Sequence, residues 1–206
     1  MTTLGYALLG LLARRPLSGY DLAGQLKVPV GFFWHARISQ IYPELARLEA
    51  QGLLSHRVVA QWDRPDKKVY AITEAGRRAL REWATAPTAV PLPRDELVLK
   101  AYSLWLADPA RALELFREHE RRHAERLALY ETNRAALQGD FERGEPDAAC
   151  FGDYATLQRG VGYEREYVAW CRWMVEQLER RVRERPAGER RPGVAGAPRA
   201  GDAAPD

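Results

Sequence analysis

The sequence predicts a mainly α protein in two parts, a small N-terminal head built from helices and one β-ribbon, then an all-helical region. Three observations carry this. In the first part apolar residues recur at three- and four-residue spacing in short blocks, then give way to two runs rich in β-branched residues. In the second part the three-four spacing returns and holds over two much longer stretches. Between them lies a proline-rich segment, TAPTAVPLPRD, with the composition of a linker.

The elements of the head follow in order. Leu4, Leu8, Leu11 and Leu12 fall on one helical face, and Pro16 ends that helix. Ser18-x-x-Asp21 reads as a capping box that opens a second helix, with Leu22 and Leu26 facing inward and Pro29 and Gly31 as its stop. After the FFW segment, Ile38, Ile41, Leu45 and Leu48 mark the inward stripe of a third helix. Proline lacks an amide hydrogen and suits a helix's first turn, so Pro43 sets the start near Ile38 to Gln40; Gly52 is the expected stop. LLSHRVVA and KKVYAIT then read as a hairpin joined by QWDRPD. Thr73 caps a fourth helix whose inward face includes Ala79, Leu80 and Trp83. Three helices, a two-stranded wing and a further helix make residues 1–86 a winged helix-turn-helix.

Residues 87–94 are then a linker, residues 95–185 a helical dimerisation and effector domain, and residues 186–206 a Pro/Gly/Ala-rich disordered tail. Leu97, Val98, Ala101, Tyr102, Trp105 and Leu106 predict one helix ending near Ala107, and Asp108-Pro109 starts the next. Its seam runs Leu113, Phe116, Glu120, His123, Leu127, Tyr130, Arg134, Leu137. The second long helix has Tyr154, Leu157, Val161, Glu164, Val168, Cys171, Val175, Leu178 and Val182 on its seam, flanked by Tyr163, Tyr167, Trp170, Trp173 and Met174. That stripe is wider than one neighbouring helix covers, which predicts a homodimer joined through Val168, Trp170, Cys171, Met174, Val175 and Leu178. The competing reading is a wide core within one chain.

Composition narrows the function. The chain has 206 residues, 46 % hydrophobic and 29 % charged, and no apolar run approaches the ~20 residues that cross a bilayer. LGYALLGLLA has no basic flank and no cleavage site, so no signal peptide is expected and the cytoplasm is the expected location. Residues 1–86 carry 12 Lys/Arg against 7 Asp/Glu, a balance of +5, whereas the other 120 carry 19 against 21, a balance of −2. The basic part is the one expected to meet a polyanion. No phosphate-loop, dinucleotide-binding or H-E-x-x-H motif occurs, so neither an enzyme nor a cofactor is expected. His119 and His123, at i and i+4, have metal-ligand spacing but sit among charged residues, and no metal site is expected. Cys150 and Cys171 form no C-x-x-C, and Cys171 falls on an apolar seam as a small core residue would.

The third helix brings the hydrogen-bonding groups Ser39, Gln40 and Tyr42 into its first turn. In helix-turn-helix proteins that turn reaches base edges in the major groove, and Arg64, Lys67 and Lys68 at the ribbon would hold the adjacent phosphates. The plainer reading makes Ser39 a cap, Tyr42 a core-edge ring and the cations a solvated turn. Glu44, just beyond the turn, opposes phosphate approach at its own position.

LLGLL, SGYDL, QIYPEL with RLEAQGLL, RPDKKVYAIT and TEAGRRAL…W, in this order and spacing, resemble the PadR family of transcriptional regulators. The resemblance covers residues 4–86 closely. Over residues 95–185 it is one of helical organisation, like the longer members with an extended dimerisation region. It implies a homodimer on double-stranded promoter DNA, usually repression, and often an aromatic or drug-like effector. Tyr20, Trp34, Tyr102 and Trp105, with Phe32 and Phe33, are the aromatic side chains near the expected domain junction and the candidate lining of an effector pocket. The alternative function is a winged-helix module that assembles with another protein without reading DNA. A metal- or thiol-sensing regulator is a third reading, resting on His119, His123 and Cys171 alone.

Overall fold

The structure is a computed structural model and describes residues 1–26, 37–60, 62, 66–89, 94–144 and 149–184. The chain forms two compact units. The first takes Met1–Pro93 together with Asn133–Gly160, and the second takes Arg94–Thr132 together with the chain from Val161 onward. Both long helices are therefore shared between units, which a linker read from proline content does not reveal.

In the first unit the order is α1 (Thr3–Arg14), β1 (Leu17–Ser18), α2 (Gly19–Gln25), α3 (Ile38–Ala50), β2 (Leu54–Val59), β3 (Lys67–Ile72) and α4 (Glu74–Ala84). The expected hairpin is there, and β1 adds a short third strand, giving the antiparallel order β1-β3-β2 with Leu17 opposite Tyr70 and Leu54 opposite Ile72. A two-residue strand between a proline and a helix cap is too short to leave a periodic signal. Leu8, Leu9, Leu12, Leu22, Ile41, Leu45 and Leu48 are fully buried in one cluster closed by Leu54 and Tyr70. The predicted caps form. Ser18 accepts from the Asp21 amide at 3.2 Å while the Asp21 carboxylate accepts from the Ser18 amide at 3.2 Å. Gly52, at φ 68°, ends α3 with Leu53 N–H donating to the Leu48 carbonyl at 3.0 Å and its own N–H to Glu49 at 2.8 Å. Thr73 caps α4, and Gly76 behind it lies so close to the Leu53 carbonyl that a Cβ would come within 2.1 Å of the oxygen. Trp83 is less inward than its spacing predicts, being partly exposed while its ring stacks on Tyr6 at 4.5 Å.

In the same unit Arg14 holds Asp153 through two hydrogen bonds of 2.6 and 2.7 Å, and Phe141 stacks on Tyr154 at 4.2 Å. These contacts tie the ends of α6 (Pro109–Arg143) and α7 (Ala149–Glu184) into the first unit.

The second unit contains α5 (Glu96–Tyr102), a 3-10 turn (Leu104–Leu106) and the remaining parts of α6 and α7. The single helix expected to run to Ala107 is instead broken at Ser103. Asp108 caps α6 as predicted, accepting from the amides of Ala110 and Arg111 at 3.0 and 3.1 Å. The core joins Leu97, Ala112, Leu113 and Phe116 to Tyr167, Cys171 and Leu178, with Trp170, Met174 and Val175 half-buried at its edge. Of the residues expected at a dimer surface, Trp170, Met174 and Val175 keep part of their surface in the single chain, whereas Val168, Cys171 and Leu178 are buried. These three are at most 3 % exposed, and Cys171 and Leu178 pack with residues of α5 and α6. A cluster of exposed apolar residues lies on α5 and the turn after it, at Val98, Leu99, Tyr102, Trp105 and Leu106, and others stand singly on the long helices, Trp173 and Leu129 among them.

The polar residues on the α6–α7 seam form a satisfied network. His123 Nδ1 and Glu164 Oε2 are 2.5 Å apart, Arg126 donates to Glu164 Oε1 at 3.1 Å, and Tyr167 stacks on the His123 ring at 3.9 Å. The Tyr167 hydroxyl donates to Asp95 Oδ2 at 2.8 Å, so burial and this bond push the phenol well above its ordinary pKa. Burial raises Asp95 too, but the bonds from Tyr167 and from the amides of Val98 and Leu97 outweigh it and hold the carboxylate below its ordinary value.

Candidate nucleic-acid interface

The exposed start of α3 is the feature that the rest of the first unit positions. Ile41, Leu45 and Leu48 anchor one side of the helix in the core, whereas Arg37, Ile38, Ser39 and Gln40 are all exposed. Its first turn has no acidic side chain, so the amide ends and the helix dipole present positive potential there. Gln40 Oε1 accepts the Arg37 amide at 3.1 Å, reaching back over the helix start and leaving its Nε2 group as an outward donor. Pro43 is the sixth residue of α3, deeper than the first-turn position expected of it. Its missing amide leaves the Ser39 carbonyl without the usual i+4 donor, and exposure at both residues keeps that cost small.

Tyr42 is fixed from the side. A Cβ on Gly19 would come within 2.5 Å of its ring, so glycine in SGYDL is what lets the tyrosine of QIYPEL lie against the start of α2. Glu44, which looked adverse to DNA, faces the interior. Arg47 donates to it at 2.5 and 3.0 Å and holds its carboxyl below the ordinary value; burial opposes this, and the Thr2 hydroxyl adds to the lowering. Gly5 leaves the room, since a Cβ there would come within 2.5 Å of the carboxylate. The acid is thus a strut between α3 and the start of α1.

The two ribbon lysines divide. Side chains alternate along a strand, so Lys68 shares a face with Tyr70 and Lys67 points to the other. Lys67 pairs with Asp21 at 3.1 Å, while Lys68 is exposed. Arg64 lies outside the described residues, as do Trp34, Phe32 and Phe33. Arg57, exposed on β2 on the Lys67 face, is a cation that sequence reading treated only as part of a strand, and Arg37 was missed because it precedes the periodic residues. Lys68→Ala is expected to flatten the log K against log salt slope for DNA by roughly 1, the value for one lost phosphate contact. Lys67→Ala should change it less, because Asp21 already offsets that charge. Fluorescence anisotropy across a salt series checks both, and equal slopes for the two variants would dismiss the distinction.

The remaining candidates are spread over the chain. Tyr20 on α2 is 82 % exposed in the first unit, and Tyr102 and Trp105 are 84 % and 76 % exposed in the second. Among the described residues no group of three or more His, Cys, Asp and Glu is placed to hold a metal ion. The His123 ring nitrogen of the candidate pair is engaged by Glu164. Burial pushes the Cys171 thiol up to about 11, which keeps it protonated and removes the nucleophilic thiolate that a redox sensor needs.

Residues 8–82 match the model of the transcriptional regulator PadR-like family, and residues 93–179 match that of the virulence activator alpha C-terminal region. The negative transcriptional regulator PadR of Bacillus subtilis (strain 168) is 32 % identical over 181 residues, 87 % of this chain and 100 % of the relative. The crystal structure of Bacillus subtilis PadR in complex with operator DNA has a TM-score of 0.76 at 31 % identity, covering 86 % of this chain and 98 % of that one. The complex of the same protein with p-coumaric acid has a TM-score of 0.62 at 31 % identity, covering 86 % and 99 %. With the family model lying on the helices and ribbon that carry α3, and a relative matched along its whole length, the chain belongs to the PadR-like family of transcriptional regulators.

Proposed function

We propose that the protein is a cytoplasmic homodimer that reads promoter DNA through α3, holds the flanking phosphates with its ribbon, and represses transcription until an aromatic effector releases it. The observation that carries this is the exposed start of α3, where Arg37, Ser39, Gln40 and Tyr42 stand on a helix locked into the core by its other face. The structure of a relative with operator DNA supports it. No described helix is long and apolar enough to cross a membrane. Residues 1–86 act as the reading head and residues 95–185 as the pairing part. A partner copy covers Val98, Leu99 and Leu106, which are too apolar as a group to stay in water at no cost. Tyr102 and Trp105 rim that surface and are candidate contacts for an effector. An effector that prefers one spacing of the two heads shifts DNA affinity by its differential binding to the two states.

The test is a mobility-shift titration against the DNA flanking the protein's own gene and against an unrelated duplex, with and without p-coumaric acid, the compound seen with the relative. The expected result is preference for the flanking DNA, weakening as salt rises and further weakened by the phenolic acid. Equal, weak retention of both duplexes would favour a protein-interaction module instead. Specific binding indifferent to p-coumaric acid and to other aromatic acids would remove the effector from the proposal and leave the DNA reading.

A further inference from the structure

Among the described residues, Ile38 has no packing role that accounts for it. It opens α3 and continues the stripe of Ile41, Leu45 and Leu48, yet those three are at most 1 % exposed and Ile38 is 51 % exposed. Among the described residues the buried stripe of α3 begins at Ile41, and Ile38 lies about one turn before it. A β-branched residue there adds nothing to helix propensity. A single exposed aliphatic side chain is ordinary on a protein surface. This one stands between Arg37 and Ser39 in the turn proposed to enter the major groove.

Tyr42 is one helical turn further on the same side, a separation at which side chains are neighbours. It is also 51 % exposed, and its ring cannot swing freely because Gly19 lies against it. Together the two side chains make an apolar strip edging the hydrogen-bonding groups of Ser39 and Gln40. The major groove offers one apolar feature among its base edges, the 5-methyl group of thymine. Resting on the DNA-reading proposal, we infer that Ile38, packed beside Tyr42, is a specificity-determining residue that selects thymine in each half-site through contact with its 5-methyl group.

The prediction is tested first with the unaltered protein and then with two variants. Selection from a randomised duplex library defines the half-site, and each thymine is then replaced by deoxyuridine, which removes the methyl and keeps the Watson–Crick pair. With the unaltered protein, affinity should fall about three- to tenfold at one or two positions, as expected for one lost buried methyl. Ile38→Ala should bind the thymine and uracil duplexes alike at one of those positions. Because Ile38 is outside the core, circular dichroism melting of that variant should match the parent. Tyr42→Phe keeps the ring and should keep the discrimination. Indifference of the unaltered protein to every replacement overturns the inference, as does discrimination that survives in Ile38→Ala. If selection enriches no sequence at all, the DNA-reading proposal itself fails and this inference with it, a result distinct from specific binding that ignores the methyl.

Discussion

Replacing Glu164 by alanine is expected to lower the thermal midpoint of the helical unit by roughly 10 °C. Glu164 is 2 % exposed and is the shared partner of His123 and Arg126. Removing one member of a buried ionic network leaves the others without their charge partner and costs ~3–5 kcal/mol, with ~2–4 °C in midpoint for each kcal/mol in a chain of this size. Glu164→Gln, which keeps the shape and an acceptor oxygen, should lose less. Replacing Glu164 and His123 together by leucine removes the desolvation cost with the charges and is expected to recover much of the loss. Calorimetry of the three variants decides. A Glu164→Ala midpoint within ~1 °C of the parent would show that the network adds nothing net, which surface pairs often do and buried ones seldom do.

That network marks how far the sequence alone could be read. Glu120, His123, Arg134 and Glu164 were recognisable as seam residues that should pair, reach solvent or set register, because polar groups on a three-four stripe are costly if dry and unpartnered. Which of them met was not recognisable. His123 and Glu164 are 41 residues apart, and only the relative register of the two long helices brings them together. The head was more legible because its signals are local. Ser18 with Asp21, Gly52 and Thr73 act within a few residues of themselves, and the structure has each of these caps. Gly5 and Gly19 were silent for the opposite reason. Each makes room for a side chain of α3, Glu44 and Tyr42, and a missing Cβ carries no pattern to detect.

The same contrast explains the reading helix. A stripe at three-four spacing says which side of a helix faces the core and not where the core ends. Ile38 therefore read as interior, although among the described residues the burial of that stripe begins at Ile41. Lys67 and Lys68 read as an equivalent pair, whereas strand alternation and Asp21 make them different. In both cases the residue type was informative and its surroundings altered the role.

Placing a charge at Leu99 is expected to turn the proposed dimer into a monomer and to cost ~10²–10⁴-fold in affinity for a duplex with two half-sites. Leu99 is 66 % exposed on α5 amid the exposed Val98, Tyr102, Trp105 and Leu106, the cluster proposed to meet a partner copy. A glutamate there leaves the core of the second unit intact, since Leu97 supplies α5's buried contact. Across a two-fold interface it would face apolar side chains and its own copy, so association loses hydrophobic area and gains repulsion. A substitution suits this question better than cutting the chain after the fourth helix, because Asn133–Gly160 belongs to the first unit and would be lost with the cut. Binding to a single half-site should be unchanged, since α3 is untouched. Binding to two half-sites about 34 Å apart should fall, because the second contact no longer follows the first at high effective concentration. Light scattering at micromolar concentration, paired with anisotropy on one- and two-half-site duplexes, reads both effects. A Leu99→Glu protein that stays dimeric, or that monomerises with no change in two-site affinity, would move the pairing surface off α5 in the first case and uncouple pairing from DNA reading in the second.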